Sequence, residues 1–268
     1  MSACYSCHTI LNKKNQSAEH ILPNSIGGVL KSYRLLCRRC NWAYGMTIDA
    51  ALAKEFAALA AKLHINRDRP TPNTMRNPDK PIIQLEDEEL HISGSAMQVM
   101  QIVAGLKRKF PYIDTNSLDA SYQNDNTPDQ HISIKLSVGS DLLLRSVAKI
   151  AVNYYLMKTR DSHYLDENIS VIDGMKKNNA HVHPYPLPDG IWKEGEVAHL
   201  IIVKGNALLR QLHAHVVLFN TYSYVVMLSG VYDGADVEYY YRYDVVRGKE
   251  MKDSISLEYN RNEYLLSI

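Results

Sequence analysis

Beyond residue 40 the sequence has no cysteine, and the whole 268-residue chain has only four. Disulfide staples spread along its length are therefore impossible, and at this size a core needs none. Phenylalanine and tryptophan are scarce as well, three and two against 18 tyrosines. Tyrosine suits β-sheets and half-wet surfaces, so a sheet-rich portion is expected. No stretch approaches the roughly 18–20 apolar residues of a membrane-spanning helix. The opening run from Met1 to Cys7 lacks the apolar segment of a signal peptide. A cytoplasmic soluble protein is the expectation. Internal repeats, low-complexity tracts, glycine-rich phosphate loops and Ser-His-Asp-type arrangements are missing too, which removes the common nucleotide-binding and serine-hydrolase readings.

Net charge is small, +1 overall, but it is unevenly distributed. Residues 1–70 carry ten Lys and Arg against four acids, a surplus of +6, which leaves −5 for the remainder. A basic first quarter points towards a polyanionic partner.

The four cysteines are Cys4, Cys7, Cys37 and Cys40, two Cys-x-x-Cys pairs separated by 29 residues. Two intervening residues let both sulfurs of a pair point at one centre, and four thiolates complete the tetrahedral shell of zinc. Two disulfides or buried thiols are the competing readings. Disulfides belong to secreted chains, and isolated core cysteines would not recur twice at one spacing. A structural zinc held by all four is expected, with no open position for catalysis.

Between the pairs runs Ser17-Ala18-Glu19-His20-Ile21-Leu22-Pro23, then Gly27-Gly28, then a second extended stretch to Leu36. The glycines permit positive φ and suit a tight reversal between two strands. Asn41 follows Cys40 and opens a helix-compatible segment. The order is knuckle, strand with Glu-His, turn, strand, knuckle, Asn, helix. With Tyr44-Gly45-Met46-Thr47-Ile48-Asp49 beyond it, this text resembles the HNH endonuclease family. That family's ββα-metal unit is often framed by two such knuckles. The resemblance covers about residues 4–66.

Carried over by position, the resemblance implies His20 as the general base that deprotonates the attacking water. It implies Glu19 and Asn41 as ligands of a catalytic Mg²⁺ or Mn²⁺, a hard ion suited to oxygen donors. The family's central Asn, which pins the inter-strand loop, has Ser32 or Arg34 in its place. Lys31, Arg34, Arg38 and Arg39 are the candidate contacts to nucleic-acid phosphates. The expected function is metal-dependent cleavage of phosphodiester bonds, DNA favoured over RNA, and the resemblance suits a role in defence against foreign DNA. Two alternatives stand beside it. One is a non-catalytic zinc module that binds nucleic acid. The other is a nuclease controlled by a ligand-sensing C-terminal domain.

The fold expected is α+β: a zinc-stapled unit over residues 1–66, a Pro-rich linker over 67–80, and an α+β domain with an antiparallel sheet over 81–268. Leu52, Phe56, Leu59 and Leu63 predict one amphipathic helix over 47–63, capped by Thr47. Further helices are read over 95–110 and from Ser140-Asp141 to Met157, and a strand over 131–138. Four β segments follow: Val197–Val203, Leu208–Phe219, Tyr222–Val231 and Val237–Val246. His213 and His215 share a strand face and are read as half-exposed, as is the aromatic run Tyr239, Tyr240, Tyr241 and Tyr243. A homo-oligomer or partner protein would dock through the C-terminal domain.

Overall fold

A computed structural model describes residues 2–65, 141–176, 181–187, 191–193 and 195–252, and the backbone of 89–92, 121–122 and 132–137. The predicted linker over 67–80 and helix over 95–110 lie outside the described residues. Among the described residues no helix is long and apolar enough to cross a membrane.

The fold mixes helices with antiparallel sheet. Two short strands, β1 (Glu19–His20) and β2 (Lys31–Ser32), pair antiparallel, with Glu19 opposite Ser32 and His20 opposite Lys31. The chain between them turns through a single 3₁₀ turn, Asn24–Ile26, which Pro23 opens and Gly27 closes at φ +91. Gly28 is fixed by space rather than by dihedral: a Cβ there would lie 1.9 Å from the carbonyl oxygen of Leu22. Helix α1 (Arg38–Met46) follows directly from the second knuckle, and Cys37 caps it by accepting the Cys40 N–H at 3.5 Å. The predicted single helix over 47–63 is two, α2 (Ile48–Glu55) and α3 (Ala57–Lys62). The break falls at Phe56, whose ring packs 5.5 Å from Phe219 and edge-on to Tyr222 at 4.7 Å. Thr47 does not cap α2 through its side chain; its hydroxyl turns back and donates to the Ala43 carbonyl at 2.8 Å.

Strands β3 (Glu89–Ile92), β4 (Ser121–Tyr122) and β5 (Ile132–Ser137) form a small antiparallel sheet in the order β3-β5-β4. Helix α4 (Asp141–Thr159) matches its prediction closely, with Asp141 in the first turn and Lys158 in the last, as the helix dipole favours. It is buried over nearly its whole length, from Leu143 to Leu156. The short α5 (Asp166–Ile172) packs on it.

The main sheet has six antiparallel strands: β6 (Val182–Pro184), β7 (Ala198–Asn206), β8 (Gln211–Leu218), β9 (Tyr222–Ser229), β10 (Val237–Asp244) and β11 (Lys249–Glu250). Their order is β11-β10-β7-β8-β9-β6. The central strands read as continuous apolar runs because both faces are covered. Ile201, Val203, Ala214 and Val216 face the main core with α4. Leu200, Ile202 and Val217 form a second layer with Leu187, Ile191, Trp192 and Tyr240. Arg242 lies in that layer as well, paired with buried Glu196, donating to the Ile191 carbonyl at 2.8 Å and stacked over Trp192.

One apolar cluster runs through the whole assembly, from Leu22, Ile26, Ile48 and Leu52 through Val147 and Ile150 to the sheet. The N-terminal unit is thus packed on α4 and the sheet through a shared core. Of the tyrosines expected half-exposed on β10, Tyr239 and Tyr240 are so, but Tyr241 and Tyr243 are buried with their rings stacked 6.3 Å apart. His215 is likewise buried, its Nε2 2.7 Å from Ser223 Oγ.

Candidate metal centre and nuclease site

The sulfur cluster forms because three loop segments cross. Cys4 N–H bonds the Thr9 carbonyl at 2.9 Å and closes the first knuckle. Gln16 bridges to Cys37, and Tyr5 N–H reaches the Leu35 carbonyl at 3.1 Å, which lays the second knuckle across the first. All four thiols are free of disulfides, and their sulfurs lie within 4.8 Å of one another. A zinc tetrathiolate with bonds near 2.3 Å has sulfur–sulfur edges of about 3.8 Å. Cys7 and Cys37 sulfurs are 3.7 Å apart. The donor set and spacing fit a closed, structural zinc site.

Beside it lies a basic basin lined by Lys14, Asn15, Arg38, Arg39, Cys7, Cys37 and Cys40. Arg34, Arg38 and Arg39 are exposed, as is Lys31 on β2. Trp42, one helical turn beyond Arg38, is 67% exposed on the same helix. Ser32, at one of the two positions in question for the central Asn, accepts the Arg34 N–H through its hydroxyl at 3.3 Å. That pins the end of β2 locally.

The knuckle also aims α1 at β1. Asn41 Nδ2 donates to Ser17 Oγ at 2.5 Å, so the helix position and the strand carrying Glu19 and His20 are brought together, as the sequence order predicted. Side chains alternate along a strand, and the Glu-His pair splits accordingly. Glu19 turns inward and is 2% exposed; His20 is half-buried.

Glu19 departs from expectation in its partners. Its Oε1 lies 2.5 Å from Lys149 Nζ and accepts a hydrogen bond from Asn153 Nδ2 at 2.8 Å, both from α4. Lys149 also grips Asp49 of α2 through both carboxylate oxygens, at 3.0 and 2.7 Å. Burial alone would lower the Lys149 pKa, but the Glu19 and Asp49 carboxylates outweigh it and hold the ammonium above its ordinary value. An ammonium and a carboxamide thus already hold Oε1 of the carboxylate expected to bind a divalent ion.

Sequence reasoning did not identify Lys149, Asn153, Asp49 or Asp173 as part of this neighbourhood. Asp173 accepts the Tyr44 hydroxyl at 2.5 Å and the Ser6 hydroxyl at 3.3 Å, tying α1 and the first knuckle to the end of α5. The available signals were Asp49, inside the text that resembles the family, and Lys149, a cation in the middle of a mostly apolar helix. A second tie is His199 on β7. Its Nε2–H donates to the Ile26 carbonyl at 2.8 Å, and its Nδ1 accepts the Phe219 N–H at 3.3 Å.

Residues 4–57 match the model of a family described as HNH endonuclease. No curated protein and no solved structure matches the chain. The matched span contains both knuckles, β1, β2, α1 and α2, so the N-terminal part is an HNH domain.

Proposed function

We propose that this HNH domain hydrolyses phosphodiester bonds of nucleic acid, DNA in preference to RNA, with His20 as the general base. The observation that supports it best is the family match over residues 4–57, with α1 tied through Asn41 to Ser17 in the segment that leads into β1 and His20. An imidazole with a pKa near 6.5 suits removal of a proton from water at neutral pH. The basin with Arg38 and Arg39, together with Arg34 and Lys31, is proposed to hold the phosphate backbone, with charge-assisted bonds from the guanidinium groups. The zinc at Cys4, Cys7, Cys37 and Cys40 is proposed to staple the unit and take no part in the chemistry. The resemblance implies Mg²⁺ or Mn²⁺ at the leaving oxygen. Asn41 is the proposed ligand for it among this chain's side chains, since Oε1 of Glu19 is already held by Lys149 and Asn153. Residues 81–268 are proposed to serve recognition, ligand sensing or self-association.

A specific observation favours a second reading. The ammonium on Glu19 and the Ser32 or Arg34 at the family's central position both suit a module that binds nucleic acid without cutting it. Incubating the purified protein with plasmid and with RNA, in Mg²⁺, Mn²⁺ or chelator, separates the two. Metal-dependent cutting of plasmid supports the nuclease. Salt-sensitive binding with neither substrate cut in any metal supports the module.

A further inference from the structure

Lys149 stands in the middle of α4 between Ala148 and Ile150, both buried, and its own side chain is 3% exposed. One ammonium bridges two carboxylates from two elements of the HNH domain, Glu19 on β1 and Asp49 on α2. Asn153, one turn along the same helix, donates to the same Glu19 oxygen.

We propose that Lys149 is the resident cation of Glu19: with Asn153 it holds Oε1 from inside the fold, and makes Glu19 an anchor of β1 rather than a metal ligand. A dication bound between Glu19 Oε1 and the Asp49 carboxylate would meet the Lys149 ammonium that already bridges them, and two cations do not share one buried position. The Lys149 helix is packed against α2, α5 and the sheet, and retracting the ammonium would take from the buried Glu19 carboxylate the cation it shares with half-buried Asp49. Glu19, fixed from inside, holds the strand whose next residue is His20. Lys149 and Asn153 are thus positioning residues that act on His20 through Glu19. At Glu19 the positive charge comes from α4.

This inference does not depend on cleavage, and its test is metal binding. The zinc-loaded full-length protein is titrated with Mn²⁺, free ion being followed by its electron paramagnetic resonance, for wild type, Glu19→Gln, Lys149→Met and the double variant. Melting temperature is read with and without Mn²⁺. Thiolates are poor competitors for this hard ion. Glu19→Gln should bind Mn²⁺ as wild type does, whether wild type binds it well or not at all. Losing a true ligand would cost at least the roughly 10–100-fold known for ligand-supporting partners. Lys149→Met should gain Mn²⁺ binding, tighter than wild type by about tenfold or more by the same comparison. Its melting temperature, or its folding if it is unfolded without metal, should depend on Mn²⁺. The double variant should lose that gain. A merely structural lysine would destabilise Lys149→Met with no dependence on Mn²⁺, and that result overturns the proposal. So does a tenfold or greater loss of Mn²⁺ affinity in Glu19→Gln, since it would make Glu19 a ligand and Lys149 a group that yields to the ion.

Discussion

His199 joins the sheet to the turn of the HNH domain, and acid should loosen that joint by a calculable amount. Burial pushes its pKa from 6.5 down to about 4, only partly offset by the bond from Nε2 to the Ile26 carbonyl. In the folded protein the ring is therefore neutral near pH 5, while in the unfolded chain it is protonated. The folded state binds fewer protons, so its stability is complete above the unfolded value of 6.5 and is lost as pH falls towards 4. Between pH 7 and pH 5 the difference amounts to about 2 kcal/mol from this one residue, a sizeable part of the roughly 5–15 kcal/mol that keeps a domain folded. The structural cause is specific. Protonating Nδ1 turns the acceptor of the Phe219 N–H into a second donor, so two N–H groups face each other in a dry interior. His199→Gln keeps one donor and one acceptor but does not titrate. Urea unfolding of both proteins at pH 7 and pH 5 reads the effect. The variant should be less stable at pH 7, and its deficit should shrink by about 2 kcal/mol at pH 5, since only wild type takes the protonation penalty. An equal deficit at both pH values would refute the reasoning. His215, pushed down to about 3 by burial, adds an acid sensitivity of the same sign in both proteins and cancels in the comparison.

Three further outcomes are expected. Elemental analysis should find about one zinc per chain. Cys37→Ser should abolish it and unfold residues 4–57, since structural zinc contributes about 10–16 kcal/mol of apparent binding energy in small fingers; a zinc-free protein with a native circular dichroism spectrum would contradict this. Arg38→Ala and Arg39→Ala should each weaken nucleic-acid binding alike on all sequences and reduce the logarithmic salt slope by about one. An altered sequence preference with an unchanged slope would remove that residue from the phosphate contacts. Asn41→Ala should lower cleavage with partial recovery at high Mg²⁺ or Mn²⁺, because a ligand's loss is offset by mass action, and an activity loss indifferent to metal concentration would argue against a ligand role.

What the sequence made legible was local. The paired cysteines fix their own spacing, Gly27-Gly28 marks the turn, and the alternating and apolar runs mark α4 and β7 to β10. Each of these depends on neighbours along the chain. Phe56 was misread because its periodicity suits one helix, whereas its packing on Phe219 and Tyr222, far off in sequence, ends one helix and begins another. Tyr241, Tyr243 and His215 were read as half-exposed because polar tips suit a wet face; the core on one side and the Trp192 layer on the other leave this sheet little wet surface. Glu19 is the most telling case. Its place in the motif is readable from its neighbours, but its partner is 130 positions away on a mostly apolar helix whose lysine is visible and whose target is not. No local pattern reports which carboxylate a buried lysine will find. The same holds for the boundary near residue 66: composition marks a change, while the core is shared across it.

The central claim is that His20 removes a proton from water during cleavage. It is tested most directly by comparing wild type with His20→Ala on the same plasmid, with zinc content and nucleic-acid affinity measured on the same preparations. Wild type should cut in Mg²⁺ or Mn²⁺. His20→Ala should keep its zinc, its melting temperature and its affinity, and cut about 10²–10⁴-fold more slowly, the usual cost of losing a general base. A His20→Ala protein that cuts at the wild-type rate would contradict the claim.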